Sequence, residues 1–233
     1  MKKLITIISA LAAVFLILAG CTKKDSVTYS GLEAGNIRSG IFTTDNGVEM
    51  NVVGNAGRFD VNTERRVLVE YTTHSASDTQ HIDIDINGLW DAQIVPIMSM
   101  SAVSKDVVDS PIQIADAWFN AGYLNLLASV EGQDASQHLV MASSTFTDSG
   151  ITLRLYHDGS HDKGAQSGAV QDFFTCMPMN DVVGDYLEYC RSVGKKATTP
   201  IPVLLQWTWY ALDEKGPVML YERKGTYNPS ASN

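Results

Sequence analysis

Residues 65–91 read RRVLVEYTTHSASDTQHIDIDINGLWD, and this stretch decides the fold class. Val67, Val69 and Tyr71 alternate with Leu68 and Glu70, and Ile82, Ile84 and Ile86 alternate with Asp83, Asp85 and Asn87. A period of two puts one set of side chains on each face of a pleated strand, whereas a helix needs a period near 3.6. The intervening THSASDTQ is polar and short, the kind of connection that joins antiparallel neighbours. Just upstream, GIFTTDNGVEMNVVG carries Asp45-Asn46-Gly47 between two short β-prone runs, which predicts a tight hairpin.

The later half repeats the pattern with bulkier residues. WFNAGYLNLLASVEG, HLVMASSTF, ITLRLYHD, GAVQDFFTCM, PVLLQWTWYAL and PVMLYERKGTY are rich in aromatic or branched residues and are separated by Gly, Asp, Ser or Pro. That spacing predicts an all-β chain, sandwich or barrel. NDVVGDYLEYCRSVG is the one helical stretch. It sets Val182, Val183, Tyr186, Leu187 and Cys190 at helical spacing, with Asn180 or Asp181 as a cap and Gly194 as a stop.

Apolar periodicity lapses in SMSAVSKDVVDSP before Pro111 begins the next run. The expected division is therefore two β domains, residues 40–105 and 106–228, with one continuous sandwich as the alternative. The polar stretch 21–39 reads as a flexible tether and residues 229–233 as a disordered tail.

Residues 1–20 carry a different signal. Met1-Lys2-Lys3 precede an apolar run that ends in Leu18-Ala19-Gly20-Cys21, the pattern of a secretory signal peptide. The small-small-Cys ending resembles the lipobox of bacterial lipoproteins, at which the signal is removed and the cysteine thiol takes a covalent lipid. Cys21 is thus the expected lipid anchor. Its acyl chains, at ~0.8 kcal/mol per buried methylene, would attach the chain to a membrane that it does not span. The formal charge of −9 includes no basic run. Such a surface repels phosphate backbones, so nucleic acid is not an expected partner, while a cationic one is compatible. With Cys21 lipidated, Cys176 and Cys190 remain as the candidate disulfide of a chain that leaves the reducing cytosol, the alternative being two buried thiols.

The order of the runs, RRVLVEYT, HIDIDINGLWD, PIQIADAWFNAGYLNLLASVEG, HLVM, LRLYHD and GAVQDF, resembles the NigD-like family of bacterial lipoproteins. Its marks here are Arg66-Val67-Leu68-Val69, Asn87-Gly88-Leu89-Trp90-Asp91, Trp118 with Gly122-Tyr123-Leu124-Asn125, and Arg154 followed by Tyr156-His157-Asp158. The resemblance implies an N-terminal OB-type β-barrel followed by a C-terminal β-sandwich, anchored by lipid. It brings no established activity, so it transfers no catalytic residue.

Several residues have the chemistry for a site. His157, Asp158, His161 and Asp162 in HDGSHD could ligate zinc or another divalent ion. The glycines and serine among them explain the same residues as a hairpin loop, and the loop is the favoured reading, with no bound metal and no cofactor other than the lipid. Asp83 and Asp85 share a strand face, where a solvated pair is favoured over a glycosidase pair. His74, His81 and His138 stand isolated. Trp207 and Trp209 share a face with Leu205, a core face before it is a sugar platform, and Trp90, Trp118 and Tyr123 suggest strand-end packing. The sequence therefore favours a non-enzymatic, lipid-anchored protein of the bacterial envelope, in the outer membrane, that binds a protein, peptide or glycan as an accessory or immunity-type module. The alternative is an extracytoplasmic hydrolase of glycans or peptides that uses the loop at residues 157–162.

Overall fold

Alternating runs bury one face and must find partners for it, and here they do so in three layers. The computed structural model describes residues 29–74, 82–103, 109–131, 139–158, 170–210 and 218–229. The first five strands are β1 (Ser30–Arg38), β2 (Ile41–Thr44), β3 (Glu49–Gly54), β4 (Arg65–Thr73) and β5 (Ile82–Ile94). β1 pairs antiparallel with both β2 and β4, β2 with β3 and β4 with β5, and β3 closes on β5 in parallel. The order 1-2-3-5-4-1 is that of an OB-type barrel. Ile37, Phe42, Val67, Val69, Tyr71, Ile84 and Ile86 fill it, so the alternation in the two opening runs marks the barrel interior. The expected hairpin forms as well, with Gly47 N–H donating to the Thr44 carbonyl at 2.8 Å.

β1 lies where the tether was expected. Its residues SGLEAGNIR looked too small and polar for a strand. The small residues are what let β1 fit: a side chain at Gly31 would lie 2.6 Å from the Tyr71 ring, and one at Gly35 would collide with the Thr43 carbonyl. Glycine here admits close approach of neighbouring strands and is not a sign of flexibility.

The remaining elements are β6 (Ile97–Ser99), β7 (Gln113–Asn120), β8 (Tyr123–Glu131), β9 (Leu139–Thr147), β10 (Gly150–Asp158), β11 (Val170–Pro178), α1 (Asn180–Ser192), β12 (Ile201–Tyr210) and β13 (Val218–Tyr227). β11, β8 and β7 continue the barrel sheet from β5, and the other sheet runs β13-β12-β10-β9-β6. Because β6 already belongs to that outer sheet, the division between modules falls after Ile94, earlier than the expected 105/106.

The strand that joins the modules changes face on the way. Register shifts between Glu70 and Tyr71 of β4, whose partners in β5 are Gly88 and Ile86, leaving Asn87 as a bulge. Before the bulge the even-numbered Ile84 and Ile86 point into the barrel. After it Leu89 packs on the barrel core, while Trp90 and Ala92 pack outside with Ala34, Leu68, Phe174 and Cys176. One extra residue thus turns the strand's apolar face outward. The middle sheet meets this surface with Tyr123, Leu127, Phe174 and Trp118, and meets the outer sheet with Leu124, Leu126, Ala128, Phe173 and Met177. Both of its faces are covered at the centre, where residues 124–128 and 173–177 are apolar apart from Asn125 and Thr175.

α1 follows the predicted stretch and buries Val182, Val183, Tyr186 and Cys190 against the sandwich core. Tyr186 and Tyr189 pack on Phe146 of β9 at ring separations of 5.9 and 6.0 Å. Neither expected side chain caps its start, where Met179 is the N-cap and forms no side-chain hydrogen bond. Its end is a Schellman motif: Lys195 N–H donates to the Cys190 carbonyl at 2.8 Å, Gly194 N–H to that of Arg191 at 3.2 Å, and Gly194 supplies φ 68°.

Phe174 is fully buried between barrel and middle sheet and stacks on Trp118 at 6.0 Å. Phe174→Ala is expected to destabilise the chain by about 3–5 kcal/mol, measured by urea unfolding, because the cavity opens between two packed layers. A loss below about 1 kcal/mol would show that the layers do not depend on this contact.

Candidate functional site

The most highly organised polar cluster lies inside the molecule. Arg66, on the outward face of β4, gives two parallel hydrogen bonds to Asp45 at 2.7 and 2.8 Å, one to Asn125 Oδ1 at 2.8 Å and one from Nε to Cys176 Sγ at 3.1 Å. Its guanidinium carbon sits 4.3 Å from the centre of the Tyr123 ring. The Cys176 thiol donates in turn to Asn125 Oδ1 at 3.2 Å. The side chains of Arg66 and Asp45 are 6% and 5% exposed. Asp45 is held by the β2–β3 turn, whose backbone binds Ala34, so the turn both closes a hairpin and aims a carboxylate at the middle sheet.

Burial works against the charge of Arg66. The Asp45 hydrogen bonds and the neighbouring thiol and carboxylate outweigh it and drive its pKa up. A bidentate arginine–carboxylate pair is the geometry in which a buried charge is best tolerated. Burial also pushes the Cys176 thiol, ordinarily near 9.0, up to about 11, against the pull of Arg66. A thiol held protonated is a poor nucleophile. This cluster is suited to fastening the barrel to the middle sheet and not to reaction.

The residues with site chemistry in the sequence scatter. His157 lies on the core face of β10, only 1% exposed, with Nδ1 3.3 Å from the Pro111 carbonyl. Asp158 ends the same strand, while His161 and Asp162 lie outside the described residues. The structure therefore places the first two of the six residues of HDGSHD and buries its first histidine under the segment leading to β7. β10 and β12 run parallel and pair only from Ile151–Val203 to Arg154–Gln206. Beyond that, Ser110 N–H donates to the His157 carbonyl and Ile112 N–H to that of Thr208, so residues 110–112 fill the gap between the strands. Asp109 fixes that segment through Arg154 and the Thr208 hydroxyl.

Asp83 and Asp85 are both engaged on the barrel exterior. Asp83 accepts from Asn51 at 3.2 Å, and Asp85 pairs with His74 Nε2 at 2.8 Å. His81, His138 and Cys21 lie outside the described residues. Leu205 is core and Trp207 packs beside it, stacked on Tyr221 at 6.1 Å, which matches the core-face reading. The candidate disulfide is corrected: Cys176 and Cys190 are both free and buried. Cys176 faces the barrel and Cys190 the sandwich core, so the middle sheet separates them. Among the described residues no group of three or more His, Cys, Asp and Glu could hold a metal ion.

Sequence reasoning missed two features. One is the Arg66 cluster, and its signal was present: Arg66, Tyr123 and Asn125 lie in the phrases that carry the family resemblance, and Trp90 and Trp118 of those phrases pack around it. The other is a groove of about 430 Å³ on the outer sheet, bounded by Thr147, Gly150, Thr152, Pro202, Leu204 and Lys224. A smaller crevice of about 170 Å³ lies between Ala34 and Asn46 of the barrel and Trp118 and Asn120 of β7.

No family model and no curated protein sequence matches the chain. Solved structures do match. A NigD-like immunity protein from Bacteroides caccae aligns over 86% of this chain and 97% of its own with a TM-score of 0.59 at 17% identity. A candidate lipoprotein from Bacteroides fragilis aligns over 84% and 97% with a TM-score of 0.57 at 12% identity. A protein of unknown function from Bacteroides vulgatus aligns over 88% and 94% with a TM-score of 0.54 at 15% identity. The chain has the fold of the NigD-like proteins, as its sequence phrases suggested.

Two outcomes follow from the Arg66 cluster. Arg66→Met leaves Asp45 buried without its partner and is expected to cost about 3–5 kcal/mol in urea unfolding. Adding Asp45→Asn removes the stranded charge and should recover a substantial part, so additive losses would contradict the pairing. The second concerns alkaline pH. The native thiol of Cys176 keeps its proton to about 11 while an unfolded thiol loses it near 9.0. Its contribution to stability is thus whole below about pH 9 and is lost as pH rises toward 11. The unfolding free energy should fall over that window, and Cys176→Ala should fall less steeply.

Proposed function

We propose that this protein is a lipid-anchored component of the bacterial envelope, held through Cys21 in the outer membrane, that acts by binding as an accessory or immunity-type module. The observation that carries the reading is the contrast between its two polar environments. The cluster with acid, base and thiol chemistry is enclosed and satisfied largely by its own members, whereas the open groove carries a single cation, hydroxyls and aliphatic walls. A surface that offers contact without a paired acid and base is suited to holding a ligand. The signal-like residues 1–20 and the fold shared with a NigD-like immunity protein and a candidate lipoprotein support the same reading.

In this reading the ligand is a protein, a peptide, a glycan or a small molecule. The tether from Cys21 to the start of β1 is ten residues shorter than the sequence suggested, because Ser30 already begins the barrel. At ~3.3–3.6 Å per extended residue, the barrel would stand within roughly 30 Å of the lipid headgroups.

Cys21→Ala is expected to move the protein from the membrane fraction to the soluble fraction in a cell fractionation. Full retention in the membrane would overturn lipid anchoring. The binding reading is checked by titrating the tagged protein against envelope extract and a glycan array, and absence of saturable binding in both would remove its support.

A further inference from the structure

The groove on the outer sheet has a composition that selects a ligand class. Its rows are set by register: Thr152 of β10 pairs with Leu204 of β12, which pairs with Lys224 of β13. These three side chains form one line across the solvent face. In the adjacent line Gly150 lies beside Pro202 so closely that any side chain there would strike the Pro202 carbonyl. Gly150 also has φ 143°, which other residues rarely adopt. Gly150 thus lines the groove with backbone alone.

Charge is placed at one end. Lys224 is the only ionisable residue lining the groove, and no ion pair to it forms among the described residues. The nearest acid along its strand face, Glu222, accepts a hydrogen bond from Gln206 at 2.6 Å. An ammonium left without a carboxylate, on a chain whose formal charge is −9, is open to a carboxylate from outside. The walls beside it are aliphatic, with no aromatic ring for a sugar or a base to stack on. The volume of about 430 Å³ falls in the ~300–1,000 Å³ range of small-molecule sites.

We propose that this groove binds a small aliphatic carboxylate, with the hydrocarbon chain against Pro202 and Leu204 and the carboxylate on Lys224. The proposal deepens the binding reading and rests on it, by naming a ligand class for one site. Burial of the chain supplies the attraction, and the ammonium selects which end is charged.

The test uses the full chain and octanoate as the probe, with octanol and octylamine as matched ligands of other charge, followed by ligand-observed NMR. Octanoate is expected to bind saturably and octylamine not to bind. Lys224→Met, which keeps the apolar stem, should weaken octanoate at least tenfold and leave octanol unchanged. Thr152→Phe fills the groove with a strand-compatible side chain and should abolish both, with circular dichroism confirming that each variant folds. No octanoate binding to the parent chain, or equal binding by Lys224→Met, would overturn the proposal. Either result leaves membrane anchoring and partner binding to their own assays, so the two readings fail separately.

Discussion

A guanidinium buried between two β layers has to have every polar demand met, and Arg66 meets its demands with four residues from three places in the sequence. Asp45 comes from the β2–β3 turn, Tyr123 and Asn125 from β8 and Cys176 from β11. Those partners take up the charge only when barrel and middle sheet are in one register, because a shift of one residue in β8 would replace Asn125 by an aliphatic side chain. A purely apolar contact would tolerate such slippage. The cluster therefore contributes specificity at least as much as stability, a role that buried ion pairs fill in some proteins. The amide of Asn125 shows the demand directly: its oxygen accepts from both Arg66 and Cys176, which fixes its orientation and leaves its nitrogen without a protein partner.

From that constraint the layering follows. If the outward face of β4 has to meet β8 and β11, the apolar residues beside it must also point outward, and the bulge at Asn87 does this for Trp90 and Ala92. The middle sheet then loses solvent on both faces. Its covered positions have to be mostly apolar, with few polar exceptions. Asn125 is one such position. Thr175, on the opposite face of that sheet, is buried with its hydroxyl unbonded.

Alternation told the truth where one face of a strand is buried and the other is wet, as in residues 82–86 and 151–157. The helix and the hairpin at Asp45 were legible for the same reason, since each is a local pattern with local causes. What escaped was set by distant partners. Gly31 and Gly35 read as a tether because their purpose, close approach to Tyr71 and Thr43, is visible only once β1 has neighbours. Cys176 and Cys190 read as a pair because counting cannot show that a sheet lies between them. The Arg66 cluster was written in the phrases that resemble NigD-like proteins, but nothing in the sequence says that an arginine on β4 and an asparagine on β8 will meet.

His157 shows how a residue of catalytic type can be consumed by architecture. Parallel neighbours such as β10 and β12 diverge after a few residues, and the carbonyls on their facing edges then need donors. Residues 110–112 supply them, and the Pro111 carbonyl finds its own partner in the His157 imidazole. A leucine at 157 would fill the same core position and leave that carbonyl unbonded, at a cost of about 1–3 kcal/mol. The histidine is thus selected by a hydrogen bond at a strand divergence. The groove around Gly150 lies at the other end of β10, where β10 and β12 are still paired and Gly150 lets the backbone of β12 come close. The same strand closes one end of the outer sheet and opens the other.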